Sequence, residues 1–103
     1  MPVADGVLKL ADRLWRGEAS IEEHHPFAPS GELVEVAGAT AFVASFANVS
    51  AFSTEAGLVL VDTGSMLLAR QVHATVRGWS DARLDTAVYS HGHVDHVFGV
   101  PVF

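Results

Sequence analysis

The amino-acid sequence predicts an α/β (α+β) fold, in which a meander of antiparallel strands is followed by a βαβ unit. Three observations predict this arrangement. Runs rich in β-branched and aromatic residues alternate with short turn signals through the middle of the chain. A continuously apolar run at residues 58–61 ends at the turn Asp62-Thr63-Gly64, as a strand buried on both faces would. A segment with apolar residues at helical spacing then leads into one more strand-like run.

The spacing of apolar residues in the N-terminal segment predicts a helix, although the segment is short enough to pair as a strand instead. Its apolar residues recur at helical spacing: Val7, Leu10, Ala11, Leu14 and Trp15. A loop marked by Pro26, Pro29 and Gly31 follows. Strand-type runs then cover residues 33–37, 40–54 and 57–62, and the intervening "AGA" and "TEAG" suit tight turns.

The second half of the chain predicts the βαβ unit. Ser65 is a candidate helix N-cap, and the helix over residues 66–79 has one apolar face and Gly78 near its end. Residues 84–90 form the next predicted strand. Because the two parallel strands would end at the same edge of the sheet, Asp62 should lie near His91.

Composition excludes several classes of protein. Half of the 103 residues are hydrophobic and the net charge is −6, so a core is available and no basic surface for nucleic acid is expected. The chain has no cysteine, so a metal would have to be bound by imidazole and carboxylate. Charged residues interrupt the first sixteen positions, and no apolar run reaches the ~20 residues that cross a bilayer. We expect no membrane association and a cytoplasmic location.

Four potential metal ligands, His91, His93, Asp95 and His96, lie within six positions directly after the last predicted strand. His91 and His93 can point the same way from extended backbone, and Asp95 and His96 can turn toward a second ion. Imidazole and carboxylate suit Zn²⁺, with Fe or Mn as alternatives, and two ions could share and activate a water. The alternative is a polar loop whose histidines only form hydrogen bonds. A cluster this dense favours the metal site.

Residues 33–100 resemble the metallo-β-lactamase-fold hydrolases, on the evidence of "LVLVDTGS" and "SHGHVDH" together. The resemblance implies the N-terminal half of an αββα sandwich. It implies that His91 and His93 bind one metal ion, and Asp95 and His96 a second. It also implies that Asp62 supports the site from behind by hydrogen bonding. Substrates of the family include β-lactams, lactones, thioesters, sulfate esters and phosphodiesters, and the phrasing is most similar to the alkylsulfatase-like branch.

The ligand count departs from the family pattern. A catalytic zinc ion has about three protein ligands, whereas this cluster supplies two for each ion of a pair. Family members take further ligands from later in the chain, and "VFGVPVF" after His96 offers none. We therefore expect residues 1–103 to be an N-terminal part of a metallo-β-lactamase-like domain, apparently truncated.

Two functional hypotheses follow. The first is a metal-dependent hydrolase that uses a metal-bound hydroxide on an ester-like small molecule such as a sulfate ester, with Asp95 as the candidate catalytic residue. The second is a non-catalytic half-domain that associates with itself through an uncovered sheet face and binds metal weakly. We expect a homo-oligomer, because half of a two-sheet sandwich leaves an apolar sheet face uncovered. His24 and His25 are expected to be solvated, His73 to pack or lie at the surface, and Trp15 and Trp79 to be core or interface residues.

Overall fold

A five-stranded mixed sheet, in the order β1-β2-β3-β4-β5, organises the chain. The computed structural model describes residues 5–24 and 30–103. The strands are β1 (Leu33–Ala37), β2 (Thr40–Val43), β3 (Val49–Thr54), β4 (Gly57–Val61) and β5 (Leu84–Val88). The helices are α1 (Asp5–Trp15), α2 (Ala69–Trp79) and the single turn α3 (Val94–Val97), and a short 3-10 helix covers Val100–Val102.

Strands β1 to β4 form the predicted antiparallel meander. The run predicted over residues 40–54 is two strands, because the chain reverses direction between Val43 and Val49. The Asn48 side chain accepts a hydrogen bond from the Ser45 amide at 3.2 Å and stabilises this reversal. The N-terminal segment, for which a strand was the alternative, is the helix α1.

The predicted βαβ unit consists of β4, α2 and β5, and β5 pairs with β4 in parallel. The register of this pair is irregular. Leu58 pairs with Leu84, but Val59 pairs with Thr86, so β5 contains an additional residue at Asp85. Gly57 lies against this bulge at φ +135°, and a Cβ atom there would lie 2.7 Å from the carbonyl oxygen of Arg83. Glycine is therefore required for β4 and the start of β5 to approach each other.

Helix α2 covers one face of the sheet. Val72 and Val76 are buried against apolar side chains of the strands, including Val43, Leu58 and Leu60. Each such side chain contributes about 1.5–3 kcal/mol by its removal from water. The helix begins later than predicted. Ser65 does not cap it; the Ser65 hydroxyl instead accepts a hydrogen bond from the Leu68 amide in the turn before the helix. Gly78 lies inside the last turn of the helix.

The opposite face of the sheet is covered less completely. Phe42, Phe52, Val59 and Val61 alternate with the buried core positions and are only half-buried. Trp79 packs against the core as predicted, whereas Trp15 is 89% exposed and belongs to no core. Within residues 5–24 and 30–103, no helix is long and apolar enough to span a membrane.

Candidate metal site

The candidate site lies at the sheet edge where β4 and β5 both end. Asp62 follows β4, and the segment from Ser90 to His96 follows β5. The Asp62 amide donates to the Val88 carbonyl at 2.7 Å, and the Ser90 amide donates to Asp62 Oδ1 at 2.8 Å. Asp62 lies near His91, as predicted, and is linked to it through the Ser90 hydroxyl. It also contacts His96 directly, with 2.8 Å between Asp62 Oδ2 and His96 Nδ1.

The backbone at Asp62 adopts the left-handed conformation, with φ of 60°. Aspartate tolerates this conformation better than most residues, but it is uncommon outside glycine. Gly64, at φ +82°, continues the same turn. The two residues bend the chain sharply after β4. This bend directs the Asp62 carboxyl group back toward the end of β5.

The Asp62 carboxyl group is ionised at neutral pH. Its burial acts to raise its pKa, but hydrogen bonds from the Ser90 amide, the Ser90 hydroxyl and His96 outweigh burial, and its pKa is lowered overall. The Ser90 hydroxyl lies 2.7 Å from Asp62 Oδ2. A charged acceptor thus lies directly beneath the histidines.

The three histidine rings of the predicted cluster are gathered together. The ring centroids of His91 and His93 are 4.5 Å apart, and those of His91 and His96 are 4.1 Å apart. Asp95 Oδ2 lies 3.6 Å from His96 Nε2. Asp95 and His96 lie on α3, where the His96 amide donates to the His93 carbonyl at 3.0 Å. All four predicted ligands therefore share one short loop-and-turn segment.

Thr63 is a residue of the site that the sequence did not reveal. It is completely buried, and its amide and hydroxyl both donate to the carbonyl oxygen of His96, at 2.8 and 3.0 Å. Its hydroxyl also accepts a hydrogen bond from the Gly99 amide at 3.1 Å. Thr63 lies within the motif "LVLVDTGS", but small hydroxyl residues are common in turns, so the sequence did not indicate its role. Thr63 therefore holds the C-terminal part of α3, at His96, and the following Gly99 against the end of β4.

The remaining histidines are accounted for differently. His73, on α2, packs edge-on against the Phe103 ring with 4.8 Å between centroids, which agrees with a packing role. The His24 amide donates to the Ser20 carbonyl in an exposed turn after α1. His25 lies outside the described residues.

The four candidate ligands fit part of a metal site, but they do not complete one. Among residues 5–24 and 30–103, no three histidine, cysteine or acidic side chains are placed to hold a metal ion together. Two imidazoles for one ion, and a carboxylate with an imidazole for another, are the donors that Zn²⁺ prefers. Asp62 and Ser90 take up ring nitrogens of His96 and His91 and so leave the opposite nitrogens available. This matches the usual support of metal-binding histidines by an oxygen acceptor.

The chain belongs to the metallo-beta-lactamase superfamily. The sequence profile of that superfamily matches residues 43–103, more than half of the chain, and this match includes Asp62 and all four candidate ligands. No curated protein matches the chain.

Solved structures resemble the chain over part of their length. A double mutant of the sec-alkyl sulfatase PisA1 has a TM-score of 0.60 and 28% identity, covering 69% of this chain and 12% of that one. A metallo-beta-lactamase of Cronobacter sakazakii with a HARLDQ motif has a TM-score of 0.65 and 16% identity, covering 82% of this chain and 32% of that one. The chain thus spans about an eighth and a third of these proteins.

Proposed function

We propose that this chain is part of a metal-dependent hydrolase that acts on an ester-like small molecule, with sulfate esters as the first class to test. The observation that supports the proposal is the convergence of His91, His93 and His96 above the ionised Asp62 carboxylate. A loop that only formed hydrogen bonds would not need three imidazoles in contact above a buried acceptor.

In this proposal His91 and His93 bind one metal ion, and Asp95 and His96 bind a second. Zn²⁺ is the expected metal, and Fe or Mn could use the same donors. When bound, the metal supplies Lewis acidity that lowers the pKa of water to about 7 and so provides a nucleophile at neutral pH. The ligands that these four residues do not provide would come from other residues of a longer protein or from a second copy.

The chain's own residues then have separate roles. Asp62 accepts hydrogen bonds that orient His96 directly and the Ser90 segment through its amide. The Asp95 side chain is 31% exposed, so its carboxylate is accessible to water and would be able to accept a proton there. Thr63 keeps α3 against the end of β4. Together these residues pre-position the donors before metal or substrate arrives.

Sulfate esters are favoured as substrates because the similarity to the sec-alkyl sulfatase PisA1 combines 28% identity with coverage of 69% of this chain. The less similar metallo-beta-lactamase supports the fold alone. A cytoplasmic location remains our prediction.

A second candidate function is a non-catalytic, self-associating half-domain. It is favoured by the half-buried apolar face formed by Phe42, Phe52, Val59 and Val61. A second copy that covered this face would form a homo-oligomer and remove apolar surface from water.

Zinc titration of the purified chain at about pH 7.5, where histidine is mostly neutral, separates the two functions. We expect exchangeable binding that a chelator removes, that weakens about 10-fold or more in His91→Ala, and that is unchanged in the control His73→Ala. Hydrolysis of an aryl sulfate and of a β-lactam is measured in parallel. A zinc affinity that is the same in His91→Ala as in the natural chain would refute the hydrolase proposal and favour the half-domain. Two tightly held ions that resist chelator would show that the site is complete in this chain.

A further inference from the structure

We propose that Ser90 is a positioning residue that fixes the tautomer of His91, so that one oxygen of Asp62 sets the protonated nitrogen of both His91 and His96. Ser90 was not among the predicted site residues. Its significance for metal binding rests on the proposed function, but the tautomers themselves do not.

The number of hydrogens on the Ser90 hydroxyl decides its orientation. The Ser90 hydroxyl has one hydrogen and lies between two partners, Asp62 Oδ2 at 2.7 Å and His91 Nδ1 at 2.9 Å. An ionised carboxylate can only accept hydrogen bonds. The Ser90 hydrogen is therefore directed to Asp62, since otherwise two oxygen lone pairs would face each other at 2.7 Å.

The orientation of the Ser90 hydroxyl decides the state of His91. With its hydrogen committed to Asp62, the serine oxygen can only accept from His91. Nδ1 of His91 must then carry a hydrogen, and in the neutral imidazole Nε2 is left with a free lone pair. Free histidine prefers the opposite tautomer, so the preference of His91 is reversed by its neighbour.

His96 is fixed by the same carboxylate oxygen without an intermediary. Its Nδ1 lies 2.8 Å from Asp62 Oδ2 and must be the donor, which again leaves Nε2 free. The ring centroids of His91 and His96 are only 4.1 Å apart. Asp62 therefore fixes the tautomer of one histidine in each of the two proposed ligand pairs. It acts directly on His96 and through the Ser90 hydroxyl on His91.

Ser90→Ala tests this with little risk to the fold. Ser90 is exposed, and its backbone amide would still donate to Asp62 Oδ1. Long-range ¹H–¹⁵N correlation spectra of the ¹⁵N-labelled, metal-free chain at about pH 8, where histidine is neutral, identify which nitrogen of each ring carries hydrogen. We expect Nδ1–H at His91 and His96 in the natural chain. In Ser90→Ala, His91 should change to Nε2–H while His96 keeps Nδ1–H, and Ser90→Thr should restore His91.

The controls make each outcome decisive. The tautomer of His73, which lies on α2 and packs on Phe103, should be the same in all three proteins. The backbone amide spectrum reports whether each protein is folded. Finding Nε2–H at His91 in the natural chain, or Nδ1–H retained in Ser90→Ala, would overturn the proposal. The spectra are recorded without metal, so a chain that binds no zinc could still show these tautomers. Where zinc does bind, Ser90→Ala should weaken it about 10-fold or more.

Discussion

Gly99 lies at the closest backbone approach in the site, and Gly99→Ala tests whether Thr63 holds the metal-ligand segment in place. An ideal Cβ atom at Gly99 would lie 1.8 Å from the Thr63 carbonyl oxygen and 2.7 Å from its carbonyl carbon. Both are backbone atoms of a fully buried residue, so no side chain can rotate away. The φ of Gly99 is −84°, which any residue adopts, so the effect of alanine is purely steric.

The magnitude follows from the contacts that must break. Alanine requires the two segments to separate by more than about 1 Å before the contact becomes an ordinary one. That movement breaks the hydrogen bond from the Gly99 amide to the Thr63 hydroxyl and weakens those from Thr63 to the His96 carbonyl. Each net hydrogen bond is worth about 1 kcal/mol, and a buried group left unpaired costs about 1–3 kcal/mol. We expect a loss of about 2–4 kcal/mol in the free energy of unfolding.

Urea unfolding followed by circular dichroism measures this loss, and Gly92→Ala is the matched control. Gly92 lies in the same histidine segment, but nothing lies within 4 Å of its Cβ position, so its change should stay within about 0.5 kcal/mol. Equal stability of Gly99→Ala and the natural chain would refute the contact between Thr63 and Gly99. Equal destabilisation by both variants would show that the segment is sensitive to any added side chain.

Four further predictions follow from the same structure. The pKa of Asp62 is lowered in the folded chain, so the stabilising contribution of this carboxylate is fully present above about pH 4 and is lost as the pH falls through the lower native pKa. In Asp62→Asn, where asparagine tolerates the left-handed backbone, the free energy of unfolding should therefore change less with pH on the acid side. Thr63→Val should lower the free energy of unfolding by about 1–3 kcal/mol while Thr63→Ser stays closer to the natural chain, and a neutral valine variant would contradict the role of the hydroxyl. Gly78→Ala, in open space within α2, should raise the melting temperature through a gain of about 0.5–1 kcal/mol, and an unchanged melting temperature would show that this end of the helix is frayed in solution. Light scattering should find a dimer or larger species, and a well-folded monomer at micromolar concentration would argue against association through Phe52 and its neighbours.

The fold was largely predictable because its signals are periodic. The apolar run at β4 and the helical spacing of Val72 and Val76 each report a buried face, and both elements are confirmed. The boundaries were less predictable because side-chain hydrogen bonds decide them. Ser65 stabilises a turn that delays α2 until Ala69, and Asn48 divides the run over residues 40–54. Such local bonds compete with helix and strand without changing the hydrophobic pattern.

Part of the candidate site could likewise be predicted from the sequence, and part could not. The histidines and aspartates were visible because imidazoles and carboxylates are rarely clustered without a reason. The roles of Ser90 and Thr63 could not be predicted, because small hydroxyl residues are common in turns. These two residues acquire their roles only where two distant segments of the chain meet. Ser90 lies 28 positions from Asp62, and Thr63 lies 33 from His96. Only the parallel pairing of β4 and β5 brings them into contact.

The bulge at Asp85 has a consequence at the other end of its strand. If the same sequence paired from Leu58 and Leu84 without a bulge, Val61 would pair with Ala87 rather than Val88, and every later side chain would exchange faces of the sheet. Tyr89 would then occupy the place that Ser90 has now, and the carboxylate of Asp62 would face a different partner. The position of each histidine thus depends on the register set where β5 begins, beside Gly57. A one-residue insertion in β5 beyond the bulge would make the same shift, and would disrupt the site while leaving its motif intact in the sequence.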